Sequence, residues 1–455
     1  MATLPRLRRL LPLLVLGAVV LLIVAAALAS LAAPAAPRPP RAKNVIIMIS
    51  DGCGFNHVDA ASLFQYGKTG RQVYEKFPFR AALSTYPANG RGYDPAQAWG
   101  DFAWVKSGAT DSAAAGTALA TGVKTNNGCI GVSPSGRPLR SVIERAEELG
   151  KATGVVSSTA LCDATPAAFV THNPSRSNEL AIGAAMVMDS AVEVLMATGH
   201  PWYDDSGRRK ETPKYDYVGG EATWTALSAG TAGADCDRDG KPDPWRLVET
   251  RQQFRALARG ATPKRVCGVP QAYETLHAAR GGDFMAAPFA TPLTANVPTI
   301  TEMTQAALNV LDNDPDGFFL MVEAGAVDGA AHVNVAPRMV EEEIEFNRAV
   351  EAVVAWVERH SNWKDTLLIV TGDHETGYLT GPGSDPGWKP LTNNGAGKMP
   401  GLEWHSRSHT NSLLPFYAKG EAARLVSEYA DEMDPVRGRY LDNTEVARLM
   451  FAALR

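Results

Sequence analysis

The chain is short of cysteine. It has five in 455 residues, and an odd number leaves at least one unpaired or paired between chains. A disulfide framework therefore does not carry the fold. With 45% hydrophobic residues the chain can bury a large core instead. No long basic run appears beyond the N-terminus and the formal net charge is −5, which removes support for nucleic-acid binding. No repeat or low-complexity tract follows residue 41, so a solenoid or array is excluded.

The one long apolar run lies at the start. Arg6, Arg8 and Arg9 precede an uncharged stretch from Leu10 to Leu31, the layout of a secretory n-region and h-region. Ala27-Leu28-Ala29 offers a small-residue cleavage site. The run is also long enough to span a bilayer. A cleaved signal peptide and a retained membrane anchor over 1–33 both fit, with the signal favoured. Arg8-Arg9 lacks the flanks of a twin-arginine signal. Residues 34–43 are proline-rich and read as a stiff linker. Either reading places the remainder outside the cytoplasm, whether periplasmic, secreted or membrane-anchored. Disulfides are permitted there, and Cys236 with Cys267 is the expected bridge.

Length alone allows about three domains, but the pattern argues for one. Four short apolar runs each lead within a few residues to a carboxylate. Asn44–Ser50 runs into Asp51, Lys151–Ser157 is followed by Asp163, Phe318–Val322 ends at Glu323, and Thr366–Val370 precedes Asp373-His374. Runs of this length and composition suit strands buried on both faces. Helical periodicity lies between them, at Leu139–Leu149 and Met339–Val357. The expected fold is α/β, a doubly wound, mostly parallel central sheet flanked by helices over 44–455. Ligands of such sheets bind beyond the carboxyl ends of the strands. From about residue 199 to 282 the pattern breaks into Gly, Asp, Pro and Arg, which reads as a peripheral insertion. Within it, Asp235, Asp237, Asp239 and Asp243 follow the spacing of a calcium loop, but Arg246 stands where a bidentate Glu is expected. A Ca²⁺ site and a polar surface turn both fit.

Gly108–Ala118 places Ser112 between Asp111 and a run of small residues that opens a helix. Helix N-termini carry unpaired N–H groups and partial positive charge, which suits a hydroxyl meeting a phosphate. On its own the stretch reads more readily as an ordinary Ala-rich helix capped by Asp111 or Ser112. Asp328 and His332, four apart, share one face of a helical turn. His/Asp sets suit zinc and all-oxygen sets suit magnesium, and both kinds are present.

Taken together the motifs resemble the alkaline phosphatase family. They are Ile49-Ser-Asp-Gly52, Thr110-Asp-Ser-Ala-Ala114, Thr121-Gly-Val-Lys-Thr125, Asp163-Ala-Thr-Pro-Ala167 with Arg176, Val322-Glu323, Asp328-x-x-x-His332, Thr371-Gly-Asp-His374 and His409-Thr410. The resemblance runs from about Asn44 to the C-terminus. It implies hydrolysis of phosphate monoesters through a phosphoserine on Ser112, with Arg176 clamping the phosphate. It implies two Zn²⁺, one held by Asp328, His332 and His409, the other by Asp51, Asp373 and His374. It implies one Mg²⁺ at Asp163, Thr165 and Glu323, with Asp51 bridging. Two zincs about 4 Å apart can stabilise both the attacking and the leaving oxygen of an in-line displacement. Gly329 and Ala330 follow Asp328 where some relatives carry a basic residue nearby. A phosphodiesterase of the same superfamily and a non-catalytic calcium-dependent surface protein are the competing readings. A homodimer is compatible with the family but not specified by the residues.

Overall fold

The strands that the sequence marks as doubly buried form the middle of one sheet. The computed structural model describes residues 41–236 and 239–454. The expected signal or anchor over 1–33, the linker as far as residue 40, and Asp237 of the calcium-type loop lie outside the described residues. Among the described residues no helix is long and apolar enough to cross a membrane.

Eight strands are β1 (Asn44–Ser50), β2 (Phe79–Ser84), β3 (Ala152–Ala160), β4 (Val194–Thr198), β5 (Arg246–Val248), β6 (Val266–Gly268), β7 (Phe318–Ala324) and β8 (Thr366–Thr371). They join three later strands in an 11-stranded sheet. From one edge the order is Glu432–Asp434, Gly438–Asp442, β2, Leu414–Lys419, β8, β1, β7, β3, β4, β6, β5. From β8 to β5 every neighbouring pair is parallel. Leu414–Lys419 and the Glu432–Asp434 edge bring in the antiparallel pairs. Every residue of β1, β3, β7 and β8 is buried. Two apolar cores line the two faces, as a sheet covered by helices on both sides requires.

Register aligns the carboxyl ends. Ile49 of β1 sits level with Glu323 of β7 and Thr371 of β8, and Ser157 of β3 is also level with Glu323. Asp51, Glu323 and Asp373 therefore emerge along one edge of the sheet, where three neighbouring strands stop.

Residues 199–282 contribute more to the sheet than their composition suggests. They supply β5 and β6, the last two strands on one side, and Trp224 and Trp245 are buried in the core. The expected Cys236–Cys267 bridge is absent, and both thiols are free. Cys267 is fully buried on β6, whereas the Cys236 thiol donates to Asp243 Oδ2 at 3.0 Å. Position on a sheet strand, not sequence proximity to a polar loop, determines where Cys267 points.

Asp235 accepts from the Asp239 and Gly240 amides at 3.1 and 2.8 Å. Asp243 holds Lys264 at 2.7 Å and the Cys236 amide at 3.1 Å. A calcium ion bound at this loop would raise the melting temperature of the zinc-loaded protein, and Asp235→Ala would abolish the rise; no shift in millimolar calcium would leave the segment a polar surface turn.

Candidate active site

Ser112 opens the helix Ser112–Thr121, and Asp111 is its cap. Asp111 has extended backbone, and its Oδ1 accepts the Ala114 amide at 2.9 Å. The cap leaves the serine hydroxyl free for other work. Small residues follow because the helix Ala164–Val170 packs against it. A Cβ on Gly116 would sit 3.2 Å from the Ala168 Cβ and 3.3 Å from the Thr165 Cα. Asp163 caps that second helix through the Ala164 amide at 2.7 Å. The two close-packed helices thus bring Ser112, Asp111 and Asp163 to one place. Arg176 lies against both aspartates, with Nη1 3.4 Å from Asp111 Oδ2 and Nη2 3.3 Å from Asp163 Oδ1. Burial acts to lower the Arg176 pKa, but Asp163 and Asp111 outweigh it and raise it. The guanidinium is a fixed positive fork beside the nucleophile candidate.

Two clusters of carboxylates and imidazoles face the serine. Ser112 Oγ is 3.0 Å from His374 Nε2. The same nitrogen is 3.3 Å from Asp51 and 3.3 Å from Asp373. Beside this set, His332 Nε2 is 3.2 Å from Asp328 and 3.0 Å from His409 Nε2, and His409 is 3.6 Å from Asp328. The His374 and His409 rings stack at 3.5 Å, so His374 lies between the two sets. Its ligand atom converges with Asp51 and Asp373, and equally with Asp328 and His409.

The electrostatics of the sets show what they lack. Burial, and after it repulsion from Asp373, holds Asp51 well above the usual carboxylate range. Burial also pushes Asp373 up to about 7. Burial and then Asp163 push Glu323 up to about 8. Asp328 goes the other way: burial would raise it, but the His332 hydrogen bond and the neighbouring imidazoles hold it low. That hydrogen bond lifts His332 to about 9, whereas burial lowers His374 and His409. In the site, Asp51 Oδ1, Asp373 Oδ2, Glu323 Oε1 and Thr165 Oγ1 are buried without a hydrogen bond, the first two having only His374 Nε2 at 3.3 Å. Buried polar atoms are normally paired, and buried like charges persist where a cation neutralises them. The two His/Asp sets therefore fit metal ions, and Glu323, whose carboxyl feels both Asp163 and Thr165, offers oxygen beside them.

Some participants were not marked by the sequence. Ser157 donates to Glu323 Oε2 at 2.5 Å and orients it. Thr376 donates to Asp328 Oδ1 and lies 3.3 Å from His374 Nδ1, touching both sets. The carbonyls of Arg407 and Thr110 meet Nδ1 of His332 at 2.7 Å and of His409 at 2.8 Å. These contacts leave Nε2 of each ring available to a cation. A hydroxyl two residues after a His is too common to flag alone. A cleft of about 240 Å³, lined by Asp163, Arg176, Glu179, Tyr217 and Glu274, opens beside the arginine. Gly329 is exposed, with open space at its Cβ position.

Comparison with known proteins agrees in one direction. Residues 42–401 match the family model described as alkaline phosphatase. Alkaline phosphatase 3 of Bacillus subtilis is 30% identical over 74% of this chain, which spans 61% of that protein's length. Streptomycin-6-phosphate phosphatase of Streptomyces griseus is 30% identical over 91% of this chain and 90% of its own. The crystal structure of a cold-active alkaline phosphatase from Shewanella sp. superposes with a TM-score of 0.64. It is 24% identical, over 90% of this chain and all of that one.

Proposed function

The chain belongs to the alkaline phosphatase family, and from that premise we propose that it hydrolyses phosphate monoesters through a phosphoserine formed on Ser112. The observation that carries the reading is the convergence of Ser112, Arg176 and the two His/Asp sets at the carboxyl ends of β1, β7 and β8.

In this reading the phosphate of the ester lies between Ser112 Oγ and the Arg176 fork. Arg176 binds two non-bridging oxygens, and Asp111 and Asp163 hold its plane before substrate arrives. The Ser112 oxygen forms the new bond to phosphorus as the bond to the leaving oxygen breaks. Water then cleaves the phosphoserine to return the free hydroxyl and inorganic phosphate. Asp328, His332 and His409 would hold one zinc; Asp51, Asp373 and His374 would hold the second; Asp163, Thr165 and Glu323, with Asp51, would hold magnesium. When bound, these ions supply the charge that acidifies the attacking hydroxyl or water and stabilises the leaving oxygen. Positioning and charge are most of what phosphoryl transfer needs. Family membership and the N-terminal sequence also support action outside the cytoplasm.

A panel of aryl phosphate mono- and diesters, with streptomycin 6-phosphate included because a matched relative is named for it, tests the reading. The monoesters should be turned over by far the faster, activity should vanish with a chelator, and zinc with magnesium should restore it. Preferential diester hydrolysis would overturn the assignment.

Arg176→Lys is expected to keep the charge and lose the two-pronged contact. The cost should be about 1.5–3 kcal/mol in apparent transition-state binding, the range for a hydrogen bond to a charged group. Inhibition by inorganic phosphate should weaken in parallel. An unchanged inhibition constant would place the clamp elsewhere.

A further inference from the structure

The long helix Ala336–His360 buries Glu341, Glu342, Glu343 and Glu345. Glutamate is seldom buried without a partner; Glu342 Oε1 has no hydrogen-bond partner, whereas the other three are engaged. Glu341 has Arg280 at 2.6 Å, with both side chains 2% exposed, and Arg338 at 3.0 Å. Glu345 pairs with Arg348 on its own helix.

Glu343, fully buried, forms no ion pair among the described residues. Its Oε2 accepts the Ser50 hydroxyl at 2.6 Å, and the Tyr74 hydroxyl lies 3.2 Å from Oε1. The Tyr74 hydroxyl is also 2.7 Å from Asn347 Oδ1, one turn further along the helix. Ser50 is the last residue of β1 and immediately precedes Asp51. The turn behind it is tight. Gly52 has φ +72°, and a Cβ there would lie 2.8 Å from Asp328. The Gly52 amide donates to Asp373 Oδ1 at 3.1 Å. A shift of Ser50 thus displaces Asp51 and, through Gly52, presses on Asp328 and Asp373. The bond that Ser50 donates to Glu343 is the tether behind this turn.

We propose that Glu343 is a positioning residue: through Ser50 it fixes the Asp51–Gly52 turn, and so sets the affinity of the site for its cations. This rests on the reading of Asp51 as a cation ligand. Groups that orient metal ligands typically change metal affinity 10–100-fold when removed.

The test measures zinc affinity by competition with a chromophoric chelator, alongside melting temperature and turnover, in the full protein. Ser50→Ala removes one oxygen and should weaken zinc binding about tenfold or more. Glu343→Leu should do the same. The double variant should be little worse for zinc than either single one, because the Ser50–Glu343 bond is already cut in both. Glu343→Gln keeps an acceptor for Ser50 and similar volume, and should restore affinity to within about threefold of the parent, below the 10-fold floor for a lost orienting group. Zinc affinity unchanged in Ser50→Ala, or additive losses in the double variant, overturns the proposal. A Glu343→Gln variant as defective as Glu343→Leu does so too. If Glu343→Leu fails to fold, Ser50→Ala and Glu343→Gln decide the question. A parent protein that binds no zinc would overturn the metal-site reading itself, which is distinct from zinc binding that ignores Ser50.

Discussion

Ser112→Ala is expected to lower turnover by on the order of a thousandfold or more, with zinc content and melting temperature at parental values. The structure separates these effects. The helix cap belongs to Asp111, whose Oδ1 takes the Ala114 amide, so removing the Ser112 oxygen leaves the cap intact. Alanine is the best helix former, and the site already contains Ala113, Ala114 and Ala115. The hydroxyl has one side-chain partner, His374 Nε2 at 3.0 Å, and that imidazole keeps Asp51 and Asp373 at 3.3 Å. The ligand sets are complete without the serine. Turnover on an aryl phosphate, zinc by elemental analysis and a thermal melt decide the matter together. Near-parental turnover would remove Ser112 as the nucleophile. Zinc below one ion per chain would mean that the hydroxyl helps to hold the metal, and a lowered melting temperature would give the oxygen a structural role.

How much of this was legible in the sequence follows from the length of each signal. β1, β3, β7 and β8 are unbroken apolar runs because helices cover both faces, and each run ends at the carboxylate that matters. β5 and β6 are three residues each, too short for any periodicity, and they lie in a segment whose Gly, Pro and Asp content signals loops. Their place in the sheet depends on pairing with β4, a tertiary fact. The long helix misleads in the opposite direction. Nothing in three consecutive glutamates signals burial, yet Glu341 and Glu343 are buried, with Arg280 and Ser50 reaching them from distant parts of the chain. The proposed ligands stand out in the sequence because a few residue types serve metals and phosphate. Ser157, Thr376 and Glu343, which hold those ligands, use side chains common everywhere, and only their placement gives them a role.

Stripping the metals is expected to abolish activity and to lower the melting temperature by an amount that grows with pH. The argument runs through Asp51, Asp373 and Glu323. In the metal-free chain all three lie above the usual carboxylate range, Asp373 at about 7 and Glu323 at about 8, first because they are buried. A carboxyl group raised in the folded state keeps its proton where the unfolded chain has lost it. Its contribution to stability is complete below the ordinary carboxylate range, near pH 4, and is lost as pH rises through 7 and 8. The metal-free protein should therefore become steadily less stable between pH 5 and 9. Cations reverse the sign, because they bind the deprotonated carboxylates and bind more tightly as the protons leave. At a free concentration a hundred times its dissociation constant, each ion adds about 2.7 kcal/mol. The melting temperatures of chelated and zinc-plus-magnesium-loaded protein should converge near pH 5 and separate most at pH 9. Calorimetry at pH 5.5, 7 and 9 on both forms measures the gap. A gap that is constant across this range would mean that these carboxylates do not share bound cations. The unpaired oxygens of Asp51, Asp373 and Glu323 would then need another explanation.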